Sequence, residues 1–156
     1  MIAFKKVKKE QFVSDGGLES VFEEISLPKR ATAGSAGYDI FAPCDVVVKK
    51  GETALIATGI KAEMPQNVVL LILPRSGLGF KYKLRLCNTV GVIDADYFDN
   101  PKNEGHILIK LSAEGSDVVI EKGKAFAQGL FVNYLVCDDD VTNTQRVGGF
   151  GSTDNK

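Results

Sequence analysis

A chain of 156 residues, 44% apolar and 25% charged, is long enough to bury a sizeable core and is most simply one domain. Its net charge of −1, with no basic run beyond the interrupted Lys5, Lys6, Lys8, Lys9 cluster, excludes duplex nucleic acid as the main partner. No apolar run is long enough to span a membrane, the start Met1-Ile2-Ala3-Phe4 lacks the apolar core of a signal peptide, and three cysteines without a CxxC pair (Cys44, Cys87, Cys137) read as reduced thiols of a cytoplasmic protein rather than a disulfide framework or a zinc site.

Taken in chain order, the lysine cluster reads as a solvated strand edge. Gly17 to Ile25 places Leu18, Val21, Phe22 and Ile25 at helical spacing and predicts one short helix. Strands are predicted over Val46–Val48, Ala54–Ile60 and Val68–Leu73, then a helical turn or two over Ser76–Tyr82. Further strands are predicted over Ile107–Leu111, Val118–Ile120 and Ala125–Leu135. Turn clusters punctuate them, among them Lys50-Gly51-Glu52, Pro65-Gln66-Asn67, Glu114-Gly115-Ser116 and Lys122-Gly123-Lys124. Short, evenly punctuated strands with little helix predict an all-β fold, a jelly-roll-like barrel. Asp138-Asp139-Asp140 then forms a solvated hinge, dividing a β body over residues 1–137 from a C-terminal arm over residues 138–156.

Five segments carry chemistry. Gly34-Ser35-Ala36-Gly37-Tyr38-Asp39 is a small-residue turn leading into a strand that opens on an aromatic and a carboxylate. Pro74-Arg75-Ser76-Gly77-Leu78 follows an apolar strand and offers a guanidinium, a hydroxyl and backbone donors together, a set suited to phosphate. Asn88 to Tyr97 reads as a β-hairpin carrying Gly91-Val92-Ile93-Asp94. Strand alternation would put Asp94 and Asp96 on one face, either of them placed to act as a general base, and the apolar Val92 and Ile93 would raise the basicity of Asp94. Gln128 stands alone in an apolar strand and must find hydrogen-bond partners. Arg146-Val147-Gly148-Gly149-Phe150-Gly151-Ser152-Thr153 combines glycines that let backbone N–H groups approach an anion with an arginine for phosphate and a flat ring for a base. His106, the only histidine, reads as structural or exposed.

In order and spacing these segments resemble the five motifs of the trimeric dUTPase family, over about Lys29 to Thr153. The resemblance implies a homotrimer of jelly-roll subunits with active sites shared between chains, hydrolysing dUTP to dUMP and pyrophosphate with Mg²⁺ held mainly by substrate phosphates and water rather than by a direct protein site. It implies that Asp94 activates the water that attacks the α-phosphate and contacts the ribose 3′-hydroxyl. Tyr97 would pack on the deoxyribose, and Asn88 with the Gly91, Val92 and Ile93 backbone would pair with uracil. Arg75, Ser76, Gly77 and Gln128 would surround the phosphates, with Asp39 supporting. Arg146, Gly151, Ser152 and Thr153 would grip the terminal phosphate while Phe150 covers the base. Such an enzyme cleanses the nucleotide pool and supplies the precursor of dTMP.

The sequence departs from the family pattern in five places. Residues 98–106 are longer than usual after Tyr97, Ala125 stands where an arginine is common, and Arg146 lies one residue nearer the glycine pair. Asp154 replaces a glycine, and Glu10–Ser26 extends the lead-in. Two other readings use the same segments. One is a dCTP deaminase of the same fold, for which no glutamate base can be placed. The other is a dUTPase-like regulatory trimer that contacts a protein partner through Glu10–Ser26 or Asp99–Gly105.

Overall fold

A computed structural model of the chain describes residues 1–143 and Arg146. β1 (Ala3–Lys6) leads into a short helix, α1 (Lys9–Ser14), and a 3₁₀ turn over Glu19–Glu24. Strands β2 (Lys29–Arg30), β3 (Tyr38–Phe41), β4 (Val46–Val48), β5 (Thr53–Ala57), β6 (Ile60–Glu63) and β7 (Val68–Pro74) follow, then α2 (Ser76–Tyr82). β8 (Leu84–Leu86) and β9 (Gly91–Ile93) precede a 3₁₀ turn over Ala95–Tyr97, and β10 (Leu108–Ala113), β11 (Val118–Ile120) and β12 (Ala125–Asn133) complete the described elements.

The strands pair antiparallel in four groups: β1 with β6, β5-β10-β8, β11 with β4, and a five-stranded sheet ordered β2-β3-β12-β7-β9. The fold is all-β, as the sequence predicts. β7 alternates in burial, with Val68, Leu70 and Ile72 turned inward, and β12 pairs with it residue for residue from Ala127↔Pro74 to Asn133↔Val68. Ile40, Phe126 and Leu111 fill the interior between these sheets.

Several expectations change. The helix expected over Gly17–Ile25 is instead a 3₁₀ turn over Glu19–Glu24, and a helix that the sequence did not predict, α1, precedes it at Lys9–Ser14. Gly16, at φ +93°, ends α1, and Gly17 passes so close to the Phe12 ring that a Cβ there would lie 2.4 Å from it. The Glu10–Ser26 lead-in is consequently part of the core, with Phe12, Phe22 and Ile25 buried. The strand expected over Ala54–Ile60 breaks at Thr58-Gly59 into β5 and β6. Thr58 turns its hydroxyl onto the Ile107 carbonyl at 2.6 Å, and Gly59 adopts φ +73°. Segment 88–97 is not a hairpin: β8 pairs with β10 while β9 pairs with β7, so residues 87–90 cross between two sheets. The lysine cluster is only partly a strand edge, since Lys6 donates its ammonium to the carbonyls of Phe22 and Glu23.

The Thr58-Gly59 break is where the lead-in docks. Val7 N–H donates to the Gly59 carbonyl, and the Gly59 N–H donates to His106 Nε2 at 2.8 Å. His106 has no solvent exposure. A ring nitrogen that accepts from a backbone N–H is unprotonated, so the other nitrogen, Nδ1, carries the hydrogen and donates to Asp15 Oδ2 at 2.6 Å. Burial lowers the His106 pKa from its ordinary 6.5, outweighing the opposing pull of Asp15 and Glu104.

Two outcomes follow from this junction. Gly59→Ala combines a left-handed backbone with a Cβ 2.3 Å from Ile25, so urea unfolding should show a loss of about 1–3 kcal/mol or more; an unchanged midpoint would contradict the packing described. Because the folded state holds His106 neutral, the unfolded chain binds more protons below its ordinary pKa. The contribution of His106 is therefore intact above about pH 6.5 and lost as pH falls from there through the depressed folded value. Melting curves should show wild type losing more stability between pH 7.5 and 5.5 than His106→Gln, and parallel losses would contradict a neutral buried imidazole.

Candidate functional site

The chemistry-bearing residues fall into three groups. The first lies where the C-terminal end of β7 meets β3 and β12. Register sets Gln128 opposite Asp39 on one side and Leu73 on the other, so the central strand carries the glutamine between the other two. Gln128 Nε2 donates to the Pro74 carbonyl at 3.1 Å, which satisfies the lone amide within the fold. Gly37 makes this approach possible, since a Cβ there would stand 2.6 Å from Gln128 Oε1. Asp39 Oδ1 lies 3.3 Å from Arg75 Nε, and Arg75 Nη1 reaches the Ala125 carbonyl at 3.5 Å. Ser76 and Gly77, the first residues of α2, are exposed beside it. The group presents a guanidinium, a hydroxyl and an amide on one side of the sheet, a set that fits an anionic chain.

The second group lies off the other end of β7. β9 pairs antiparallel with β7, from Gly91↔Ile72 to Ile93↔Leu70, and Asp94 follows at once. Strand geometry ends there. Asp94 is extended and caps the 3₁₀ turn over Ala95–Tyr97, so the strand alternation expected for Asp94 and Asp96 does not apply. The turn brings the two carboxylates to one guanidinium all the same: Arg146 Nη2 donates to Asp94 Oδ2 at 2.5 Å and Nε to Asp96 Oδ1 at 2.8 Å. The same guanidinium lies 5.8 Å from the centroid of the Tyr97 ring. Asp94 is about half exposed, at 48%, rather than enclosed by Val92 and Ile93. A cleft of about 480 Å³ opens on this group and is also lined by Gln66, Tyr134 and Thr142.

The third group is the crossover. Asn88, Gly91, Val92 and Ile93 line a largely apolar cleft of about 390 Å³ with Leu55, Leu86 and Ile109. Gly91 is buried, and a Cβ there would stand 3.0 Å from Ile72 Cβ, so its lack of a side chain serves packing against β7. Phe150, Gly151, Ser152 and Thr153 lie outside the described residues.

Tyr97 faces inward more than its expected role suggested, at 6% exposed. Its hydroxyl donates to the His106 carbonyl at 2.9 Å and accepts from Asn103 Nδ2 at 2.7 Å. Asn100 and Asn103 are buried in the 98–106 loop and bonded to each other. The sequence reading missed them, although two asparagines flanking Pro101-Lys102 are a signal for side chains that bond locally. Gln66 and Tyr134 carried no local signal, because each joins the cleft only through the folding of distant segments.

A Mg²⁺ ion takes oxygen ligands and keeps several waters. Among the described residues no group of three or more His, Cys, Asp or Glu is arranged to hold a metal. Asp94 and Asp96 are the carboxylates at the polar cleft, and both are engaged by Arg146.

Comparison with known proteins identifies the family. The family model described as dUTPase matches residues 23–154. A deoxyuridine 5′-triphosphate nucleotidohydrolase from Lactococcus lactis is 48% identical over 132 residues, covering 83% of this chain and 88% of its own length. One from Hydrogenobaculum sp. is 42% identical, covering 84% and 92%. Among solved structures, the dUTPase from Streptococcus mutans superposes with a TM-score of 0.69 at 37% identity, over 87% of this chain and 98% of that one. The dUTPase from phage phi11 of S. aureus, at 22% identity and a TM-score of 0.65, shares the fold. The family match takes in Asp39, Arg75, Asn88, Asp94, Gln128 and Arg146 together, and the chain belongs to the dUTPase family.

Proposed function

We propose that this protein hydrolyses dUTP to dUMP and pyrophosphate in active sites that copies of the chain build jointly. The observation that carries the shared site is the separation of the two charged groups. Arg75 follows the last residue of β7, whereas Asp94 sits beside its start. Seven residues of extended strand put about 20 Å between them. A general base and a phosphate clamp acting on one triphosphate must lie within a few ångströms of it. Arg75, Ser76, Gly77 and Gln128 of one copy therefore meet Asp94 and Tyr97 of another, in a homotrimer.

In this reading uracil enters the cleft lined by Asn88 and Gly91–Ile93 and pairs by its edge with the backbone of that segment. Tyr97 packs against the deoxyribose. Asp94 takes a proton from water, the water oxygen forms a bond to the α-phosphorus, and the bond to the bridging oxygen breaks, releasing pyrophosphate. Arg75 and the amide of Gln128 offset the charge that repels the nucleophile. Mg²⁺ bound to the phosphates would supply further neutralisation of the same charge. Asp39 holds Arg75 in place through their ion pair.

Arg146 has two tasks. Without nucleotide its guanidinium covers the Asp94 and Asp96 carboxylates. An incoming triphosphate offers it a denser negative charge, and its transfer to the terminal phosphate frees Asp94 to act as base. Residues 138–156 serve as the arm that carries this arginine with Phe150, Gly151, Ser152 and Thr153 onto the nucleotide. The unpaired thiols Cys44, Cys87 and Cys137 support a reducing, cytoplasmic setting.

Pyrophosphate assays with Mg²⁺ should show turnover of dUTP and little of dTTP, dCTP or UTP. Asp94→Asn should bind dUTP with near-normal affinity and turn it over about a hundredfold or more slowly. A variant as fast as wild type would remove Asp94 as the base, and ammonia release from dCTP would replace the hydrolase with a deaminase.

A further inference from the structure

The two segments that depart most from the family pattern, the lead-in and the 98–106 loop, are built against each other, and Tyr97 stands at their junction. The loop grips Tyr97 at both ends. Asn100 Nδ2 donates to the Tyr97 backbone carbonyl at 2.8 Å, while Asn103 and the His106 carbonyl hold the hydroxyl. That carbonyl belongs to His106, whose ring is clamped between the Gly59 N–H and the Asp15 carboxylate. Asp15 is itself the cap of α1, and its Oδ2 also accepts from Gln11 Nε2 at 2.9 Å. A second tie runs in parallel, from the Lys8 N–H to Glu104 Oε2 at 3.1 Å. The lead-in thus supplies a carboxylate that is connected through His106, ring on one side and backbone carbonyl on the other, to the hydroxyl of Tyr97.

We propose that Asp15 and His106 are positioning residues for Tyr97, holding its ring at the depth that admits a deoxyribose and excludes a ribose. This rests on the reading of Tyr97 as the residue that packs against the sugar. The ring lies in the turn directly after Asp94, so a shift of the hydroxyl end swings the face offered to C2′ of the sugar. Loss of the Asp15 acceptor leaves the buried Nδ1–H of His106 without its partner, so the imidazole seeks another acceptor and draws the His106 backbone, carbonyl included, with it.

The test compares Asp15→Ala with Asp15→Asn, whose amide oxygen can still accept from Nδ1–H. The ratio of kcat/KM for dUTP to that for UTP should fall about tenfold or more in Asp15→Ala and return to near the wild-type value in Asp15→Asn. A merely structural role would lower the fraction of folded enzyme, cutting kcat for both nucleotides alike and leaving the ratio unmoved; that result would overturn the proposal. Tyr97→Phe breaks the connection from the other end, so adding Asp15→Ala to it should change the ratio no further. An additional drop would contradict coupling through the hydroxyl. A readout independent of turnover is the ¹³Cζ resonance of Tyr97, one of four tyrosines and assigned by its loss in Tyr97→Phe. It should move in Asp15→Ala and not in Asp15→Asn. If the wild-type protein left dUTP intact, the reaction assigned above would fail, while a Tyr97 resonance unmoved by Asp15→Ala would sink the positioning role by itself.

Discussion

β7 is held on both sides: β12 pairs along its whole length and β9 along three residues, and β7 cannot slip by one residue against them without turning its buried Leu70 and Ile72 toward water. This register decides where charge can go. It sends Arg75 off one end of the strand and Asp94 off the other, and each half neutralises itself within the chain, Arg75 on Asp39 and Arg146 on Asp94 and Asp96. Such partly exposed ion pairs are worth about 0–1 kcal/mol. A triphosphate can therefore displace them, whereas the sheet that separates the two halves does not yield.

The same economy explains the segments that lie outside the usual pattern. The lead-in is an internal prop whose Phe12 and Phe22 rings pack 5.7 Å apart between centroids. Burying a side chain such as Phe12 contributes about 1.5–3 kcal/mol. The 98–106 loop carries two buried asparagines that bond to each other and to Tyr97. Together these segments place a histidine with no exposed surface behind the turn that bears Asp94 and Tyr97.

Much of this was legible in the sequence. Val46–Val48, Val118–Ile120 and Ser76–Tyr82 form where their patterns predict, because each has a strong local signal bounded by turn residues. The order and spacing of the chemical segments alone carry the family resemblance, which the family match over residues 23–154 bears out. What escaped was non-local. The Asn88–Tyr97 segment looks like a hairpin, yet each strand finds a better partner elsewhere, a tertiary choice that local pattern does not encode. The helical spacing of Leu18, Val21, Phe22 and Ile25 also suits a 3₁₀ turn, and Gly16 and Gly17 settle which one forms. Asp15 carries no local mark at all. Its importance comes from the fold bringing it to His106, ninety-one residues away.

The central claim is that one catalytic site takes Arg75 and Asp94 from different copies of the chain. It is tested most directly by mixing two inactive variants, Arg75→Ala and Asp94→Asn, after reversible dissociation and reassembly. Sites that combine an intact Arg75 from one variant with an intact Asp94 from the other should restore dUTP hydrolysis in the mixture, in proportion to the hybrid sites formed. A reassembled mixture that stays as inactive as either variant alone would contradict the shared site and require both residues to act from one chain.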